Sequence, residues 1–140
     1  MAAITPASAI YYDSVNKNVH WGIEANFTGG GWALQIEEIE RTMPETFTEL
    51  RFDASTYVLF NRDKRSRWST SESRGTMLVL IHVGGFQVRR HIFQSKGMMT
   101  PVVIPSFYYQ FASPQDNLKV VLHYQGEVGC NFEMHMTAAA

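Results

Sequence analysis

Apolar and polar residues alternate along most of this chain, and the alternation has the period of a β-strand. Val19, Trp21, Ile23, Ala25 and Phe27 interleave with His20, Gly22, Glu24, Asn26 and Thr28, which predicts a half-buried strand with one apolar face. Leu118, Val120, Leu122 and Tyr124 interleave with Lys119, Val121 and His123. Val128, Cys130, Phe132, Met134 and Met136 do so with Gly129, Asn131, Glu133, His135 and Thr137. These last two runs predict a C-terminal hairpin around Gln125, Gly126 and Glu127. Residues 76–83 and 86–93 flank Gly84 and Gly85, a two-residue turn of the type that joins tight hairpins. A flush register across that turn sets Val83 against Phe86, Ile81 against Val88, Val79 against Arg90, Leu80 against Arg89 and Leu78 against His91.

The remaining segments are less regular. Residues 28–31 read as a glycine-rich turn, and residues 33–41 fit either a strand or a short helix carrying Trp32, Ile36 and Ile39 on one side. Pro44 stops whatever precedes it, and residues 46–53 and 55–61 then read as short strands rich in β-branched and aromatic residues. The apolar runs 102–104 and 107–111 are flanked by Pro101, Pro105 and Pro114, so they read as short pieces at a sheet margin. About eight strands with frequent turns predict one all-β domain over residues 1–140 with short flexible termini. Its fold class is mainly an antiparallel β-sandwich or jelly-roll-like arrangement, with at most one or two short helices.

Charge adds a second pattern. Residues 51–96 hold nine of the twelve Lys and Arg against three carboxylates, a local excess of six, while the rest of the chain carries three cations against ten carboxylates. The net charge of −1 therefore hides a dipolar distribution, which bears on partners rather than on fold. The longest stretch without hydrophobic periodicity, residues 61–75, carries Arg62, Lys64, Arg65, Arg67, Trp68 and Arg74. Cations beside an aromatic ring suit phosphates by charge and bases or lipid headgroups by stacking or insertion. Arg89, Arg90 and Lys96 from the neighbouring hairpin extend this candidate nucleic-acid or lipid-binding surface.

Catalytic signals are missing. The chain has no Gly-x-Ser-x-Gly elbow, phosphate loop or dinucleotide fingerprint, and its five histidines show neither His-x-His nor His-Glu-x-x-His spacing. We expect no enzyme activity, no metal site, no cofactor and no small-molecule substrate. The single cysteine, Cys130, cannot form an internal disulfide and falls on the apolar side of its strand, where a buried, inert thiol is expected. Lacking a basic n-region and an apolar run of spanning length, the chain reads as intracellular, in host cytoplasm or nucleus or in a virion, and not secreted.

Residues 23–30, Ile-Glu-Ala-Asn-Phe-Thr-Gly-Gly, followed after the basic loop by residues 76–86, Thr-Met-Leu-Val-Leu-Ile-His-Val-Gly-Gly-Phe, resemble the small matrix proteins of bornavirus type among non-segmented negative-strand RNA viruses. The resemblance covers about a third of the chain. It implies a compact β-rich protein that self-associates beneath a membrane and binds anionic lipid or RNA. It supplies no counterpart for the basic loop, so it assigns no functional residue. The strand count equally resembles a small viral jelly-roll coat domain.

Two function classes follow. One is a non-enzymatic structural protein that assembles into homo-oligomers and binds RNA or an acidic membrane through the basic surface. The other is a carbohydrate-binding or peptide-binding β-sandwich with Trp21, Trp32, Trp68, Tyr108 and Tyr109 as stacking platforms. Salt separates them, because counterion release makes phosphate binding steeply salt-dependent and stacking does not.

Overall fold

The computed structural model describes residues 7–27, 32–52, 57–60, 75–94, 102–103, 107–127 and 129–140. In chain order the strands are β1 (Ala7–Asp13), β2 (Asn18–Phe27), β3 (Gln35–Phe52), β4 (Tyr57–Phe60), β5 (Gly75–Val83), β6 (Phe86–Gln94), β7 (Val102–Val103), β8 (Phe107–Gly126) and β9 (Cys130–Ala139). All pairings are antiparallel, and no helix occurs among the described residues. The hydrogen-bonded path runs β1-β2-β9-β3-β8-β5-β6, with β4 joined to β9 and β7.

That path folds over into two layers because β3 and β8 are long enough to serve both. Sheet I contains β1, β2, β9, the Glu49–Phe52 end of β3 and the start of β8. Sheet II contains the start of β3, the end of β8, β5 and β6. The fold is an antiparallel β-sandwich, as the alternation predicted. Its core lies between the layers: Trp21, Ile23 and Phe27 of β2 and Phe132 and Met134 of β9 share one buried cluster with Met77, Val79, Ile81, Val120, Leu122 and Tyr124. The rings of Phe27 and Tyr124 meet at 5.5 Å although their strands are not neighbours in the path, so this contact spans the two layers.

Pro44 and Pro114, read from sequence as strand ends, lie instead at the corner where β3 and β8 pass between sheets, and Pro101 and Pro105 lie outside the described residues. The ladder shifts between Thr42 and Phe47 and again between Phe47 and Glu49. Pro44 and Pro114 fall within the residues these shifts leave outside the register, where a missing N–H interrupts no ladder bond. The stretch left open between strand and helix is strand from Gln35, which places Ile36 and Ile39 on opposite faces.

The sequence also predicted a β8–β9 hairpin, and the structure corrects it. β9 pairs with β2, β3 and β4, whereas β8 pairs with β3 and β5. Each of the two strands has one fully apolar face, and a face-to-face arrangement buries both within the same core. The connection crosses between layers, and the Tyr124 hydroxyl donates a long bond of 3.5 Å to the Gly129 carbonyl there.

The β5–β6 hairpin forms around Gly84 and Gly85, both with positive φ (58° and 87°), as a primed two-residue turn requires. Its register is not flush. A bulge beyond Val83 and His82 sets Arg89 against Ile81, Arg90 against Leu80, His91 against Val79 and Ile92 against Leu78. The reason is hydrophobic. Val88 and Phe93 are an odd number of residues apart, so a regular strand would send them to opposite faces. With one extra residue inserted, Val88 packs on the core and Phe93 is buried opposite Met77.

Candidate functional site: the outer face of sheet I

Register brings onto one surface residues that are remote in sequence. Across sheet I, Tyr11 is opposite His20, His20 opposite Thr137, Thr137 opposite Arg51, and Arg51 opposite Tyr108. Their neighbours toward the core, Leu50 and Met136, are buried, so the row faces outward. At about 4.8 Å between strands, Tyr11 and Tyr108 stand ~19 Å apart. Both rings are open to solvent, at 65% and 51% exposure.

The row is held by its own contacts. The Tyr11 ring stacks on His20 at 6.0 Å, and His20 Nδ1 shares a hydrogen bond of 3.2 Å with Thr137 Oγ1. At the other end the Tyr108 hydroxyl donates to Glu49 Oε1 at 2.8 Å. That bond to a carboxylate, with burial and the negative charge reinforcing it, raises the Tyr108 pKa, so the phenol stays a donor. Adjacent rows add Asn18 and Gln110 on one side, and Glu24, Glu133 and His135 on the other. His135 Nε2 lies 2.7 Å from Glu133 Oε1, and its ring lies close over Gly22, where a Cβ would come within 3.3 Å of Nδ1. The surface is rich in donors and acceptors and carries an exposed aromatic ring at each end. Four carboxylates, Asp13, Glu24, Glu49 and Glu133, share it with Arg51, so its field does not suit a polyanion.

Some of the residues singled out from sequence are described and others are not. Arg62, Lys64, Arg65, Arg67, Trp68, Arg74 and Lys96 lie outside the described residues. Arg89 and Arg90 are exposed on opposite faces of β6. The Arg89 guanidinium sits 3.7 Å over the centre of the Phe107 ring and so ties the edge of sheet II to that of sheet I. Trp21 is 1% exposed and cannot be a stacking platform, because its side of β2 is the core side. Trp32 is partly exposed in a positive-φ turn, its carbonyl held by Gln125 Nε2 at 2.7 Å. Tyr108 and Tyr109 point to opposite faces, and Tyr109 packs on Phe111 at 4.8 Å. Cys130 is buried as expected, and burial pushes its thiol pKa up. Among the described residues no three His, Cys, Asp or Glu side chains converge as a metal site would need.

No family model and no curated protein matches this chain. Among solved structures it is similar to TmCBM61 in complex with β-1,4-galactotriose, with a TM-score of 0.46 and 10% identity over 99% of this chain and 88% of that one. It is also similar to the enzymatically active domain of tailspike protein 4 of bacteriophage CBA120, with a TM-score of 0.42 and 7% identity over 99% of this chain and 18% of that one.

Proposed function

We propose that this chain is a non-catalytic binding domain that takes a neutral glycan along the outer face of sheet I. The observation that carries the reading is the five-strand row Tyr11, His20, Thr137, Arg51 and Tyr108, with an exposed ring at each end and fixed polar groups between. Sugar rings present apolar C–H faces that stack on aromatics and hydroxyls that need both donors and acceptors, and this face supplies both. Glu49 is already held by Tyr108, and a carboxylate has lone pairs to accept further bonds from a hydroxyl. Preorganisation by the Tyr11–His20–Thr137 and Tyr108–Glu49 contacts lowers the ordering cost of binding. The assembly reading, in which residues 62–74 grip RNA or lipid, draws on side chains outside the described residues.

The test is titration with a panel of neutral oligosaccharides and polysaccharides, by calorimetry and affinity electrophoresis, at low and high salt. Binding should be nearly unchanged between about 50 and 500 mM salt, in contrast with phosphate-driven binding. Tyr108→Ala and Tyr11→Ala should each weaken it at least about ten-fold, as loss of a stacking ring does. Binding to none of the neutral glycans, or binding that survives both substitutions, overturns the proposal. Salt-sensitive capture of RNA or of anionic vesicles, with no glycan bound, returns the assignment to the basic loop.

A further inference from the structure

The opposite surface of the sandwich has a different chemistry. On the outer face of sheet II, register lines up Ile36, His123, Leu78 and Ile92 in one row and Glu38, Val121, Leu80 and Arg90 in the next. A third row begins Glu40, Lys119 and His82. Ile36 and Ile92 are 49% and 50% exposed, Leu78 and Leu80 are half-buried, and Leu34 is exposed beside them. An outer sheet face normally alternates to polar residues, and this one carries an apolar centre with an acidic edge on β3 and a basic residue on β6.

We propose that this face pairs with the same face of a second copy of this chain. The occupant follows from the order of charges. A two-fold axis lying in the interface, along the strands and between β8 and β5, reverses each row end for end. Glu38 then meets Arg90 of the second copy, and Arg90 meets its Glu38. Ile36 meets Ile92 and His123 meets Leu78, around Val121, which the neighbours in its own chain already bury. The first two rows are therefore complementary to themselves at Ile36, Ile92, Glu38 and Arg90, as an isologous interface requires, while the third row sets Glu40 against Gln87 and Lys119 against His82. The strand axes of the two facing sheets are aligned, each strand lying over an oppositely directed strand of the other copy, which is the aligned mode of sheet-on-sheet packing. Nine-residue β5 and four strands define a plane of ~30 Å by ~19 Å, so the two copies together cover about 1,100 Å², just above the size that separates specific interfaces from chance contacts. Such a dimer should be concentration-dependent, with a micromolar dissociation constant.

The experiment is sedimentation equilibrium of the full chain and of two charge reversals, Glu38→Arg and Arg90→Glu. Both positions are exposed, so both variants should fold, which circular dichroism and thermal melting check. The parent chain should dimerise, and each variant alone should associate about ten-fold more weakly or less, since two attractive pairs become two repulsive ones. Mixed one to one, the variants should recover parent-like association. The new cation at position 38 of one variant then faces the new carboxylate at position 90 of the other, and the native Glu38 and Arg90 that they retain face each other. A parent chain that stays monomeric at several hundred micromolar overturns the proposal. So does a dimer that both reversals leave intact, or variants that fail to recover on mixing. Glycan binding by sheet I is unaffected by either result, which keeps the two proposals separable.

Discussion

The bulge in β6 makes a sharp prediction about two adjacent residues. In the bulged register Phe93 faces the core opposite Met77 at 7% exposure, and Ile92 faces outward opposite Leu78, half exposed. In a flush hairpin the two would exchange faces. Phe93→Ala removes a buried ring, and such truncations cost about 3–5 kcal/mol; at a sheet edge the lower figure, about 3, applies. Ile92→Ala removes three carbon groups that are half in water already and leaves no closed cavity. At ~0.8 kcal/mol for each fully buried group, the loss is about 1 kcal/mol. For a domain of this size, 3 kcal/mol lowers the melting temperature by roughly 10 °C and 1 kcal/mol by only about 3 °C. The assay is urea and thermal unfolding of both variants, followed by fluorescence at about 0.05 μM, far below the micromolar dissociation constant of the proposed dimer, so that association through the Ile92 face does not enter. Equal losses, or a larger loss for Ile92→Ala, would refute the bulged register and with it the rows assigned to the outer face of sheet II.

Other expectations rest on single features. Phe27→Ala should destabilise by about 3–4 kcal/mol in denaturant titrations, because it empties the contact with Tyr124 between the layers. Gly84→Ala should lose about 1–2 kcal/mol, since φ is +58° and a Cβ would run into the Gln115 side chain; Gly85→Asn, with open space around it, should melt close to the parent. Cys130 should react with a thiol reagent only at the rate of unfolding, because it is buried and its pKa is raised; fast modification of the native protein would show the strand misplaced. Burial first, and the Arg89 charge second, lower the pKa of His91. The unfolded chain therefore binds the proton more readily, so stability contributed by neutral His91 is present above the ordinary histidine value near 6.5 and is lost as pH falls below it. The urea midpoint should fall between pH 7.5 and 5.5 more steeply in the parent than in His91→Gln, and equal slopes would remove His91 as the cause.

How much of this was legible in the sequence depends on whether the signal is local. The faces of β2, β8 and β9 could be read directly because Trp21, Leu122 and Met134 each sit in an uninterrupted period-two pattern. Partner choice could not. Nothing near Met134 says that β9 lies beside β2 rather than β8, since both arrangements satisfy its alternation. The bulge left a trace, in the odd spacing of Val88 and Phe93, but weighing it requires knowing that both are buried. Pro44 and Pro114 misled because a proline that ends one ladder and a proline that marks a strand's passage between sheets look alike in sequence. The polar row of sheet I draws on β1, β2, β9, β3 and β8, so His20, Thr137 and Arg51 carry no signal until five strands are placed in register.

The two outer faces bear on each other. A sandwich has two sides, and a dimer formed by sheet II buries one side of each copy at its centre. The sheet I faces then point away from each other, separated by the thickness of four sheets, or ~30 Å at about 10 Å between neighbouring layers. Such a dimer cannot place both Tyr11–Tyr108 rows on one flat glycan surface, so dimerisation should leave the apparent affinity for a single immobilised layer near that of one site. It should instead bridge two separate chains. A multivalent polysaccharide mixed with the parent protein should therefore aggregate in a dimer-dependent way, and Arg90→Glu should bind as well yet cross-link far less. Turbidity beside affinity electrophoresis separates the cases. Equal cross-linking by parent and Arg90→Glu would break the link between the two faces, and loss of binding in Arg90→Glu would show that glycan recognition is not confined to sheet I.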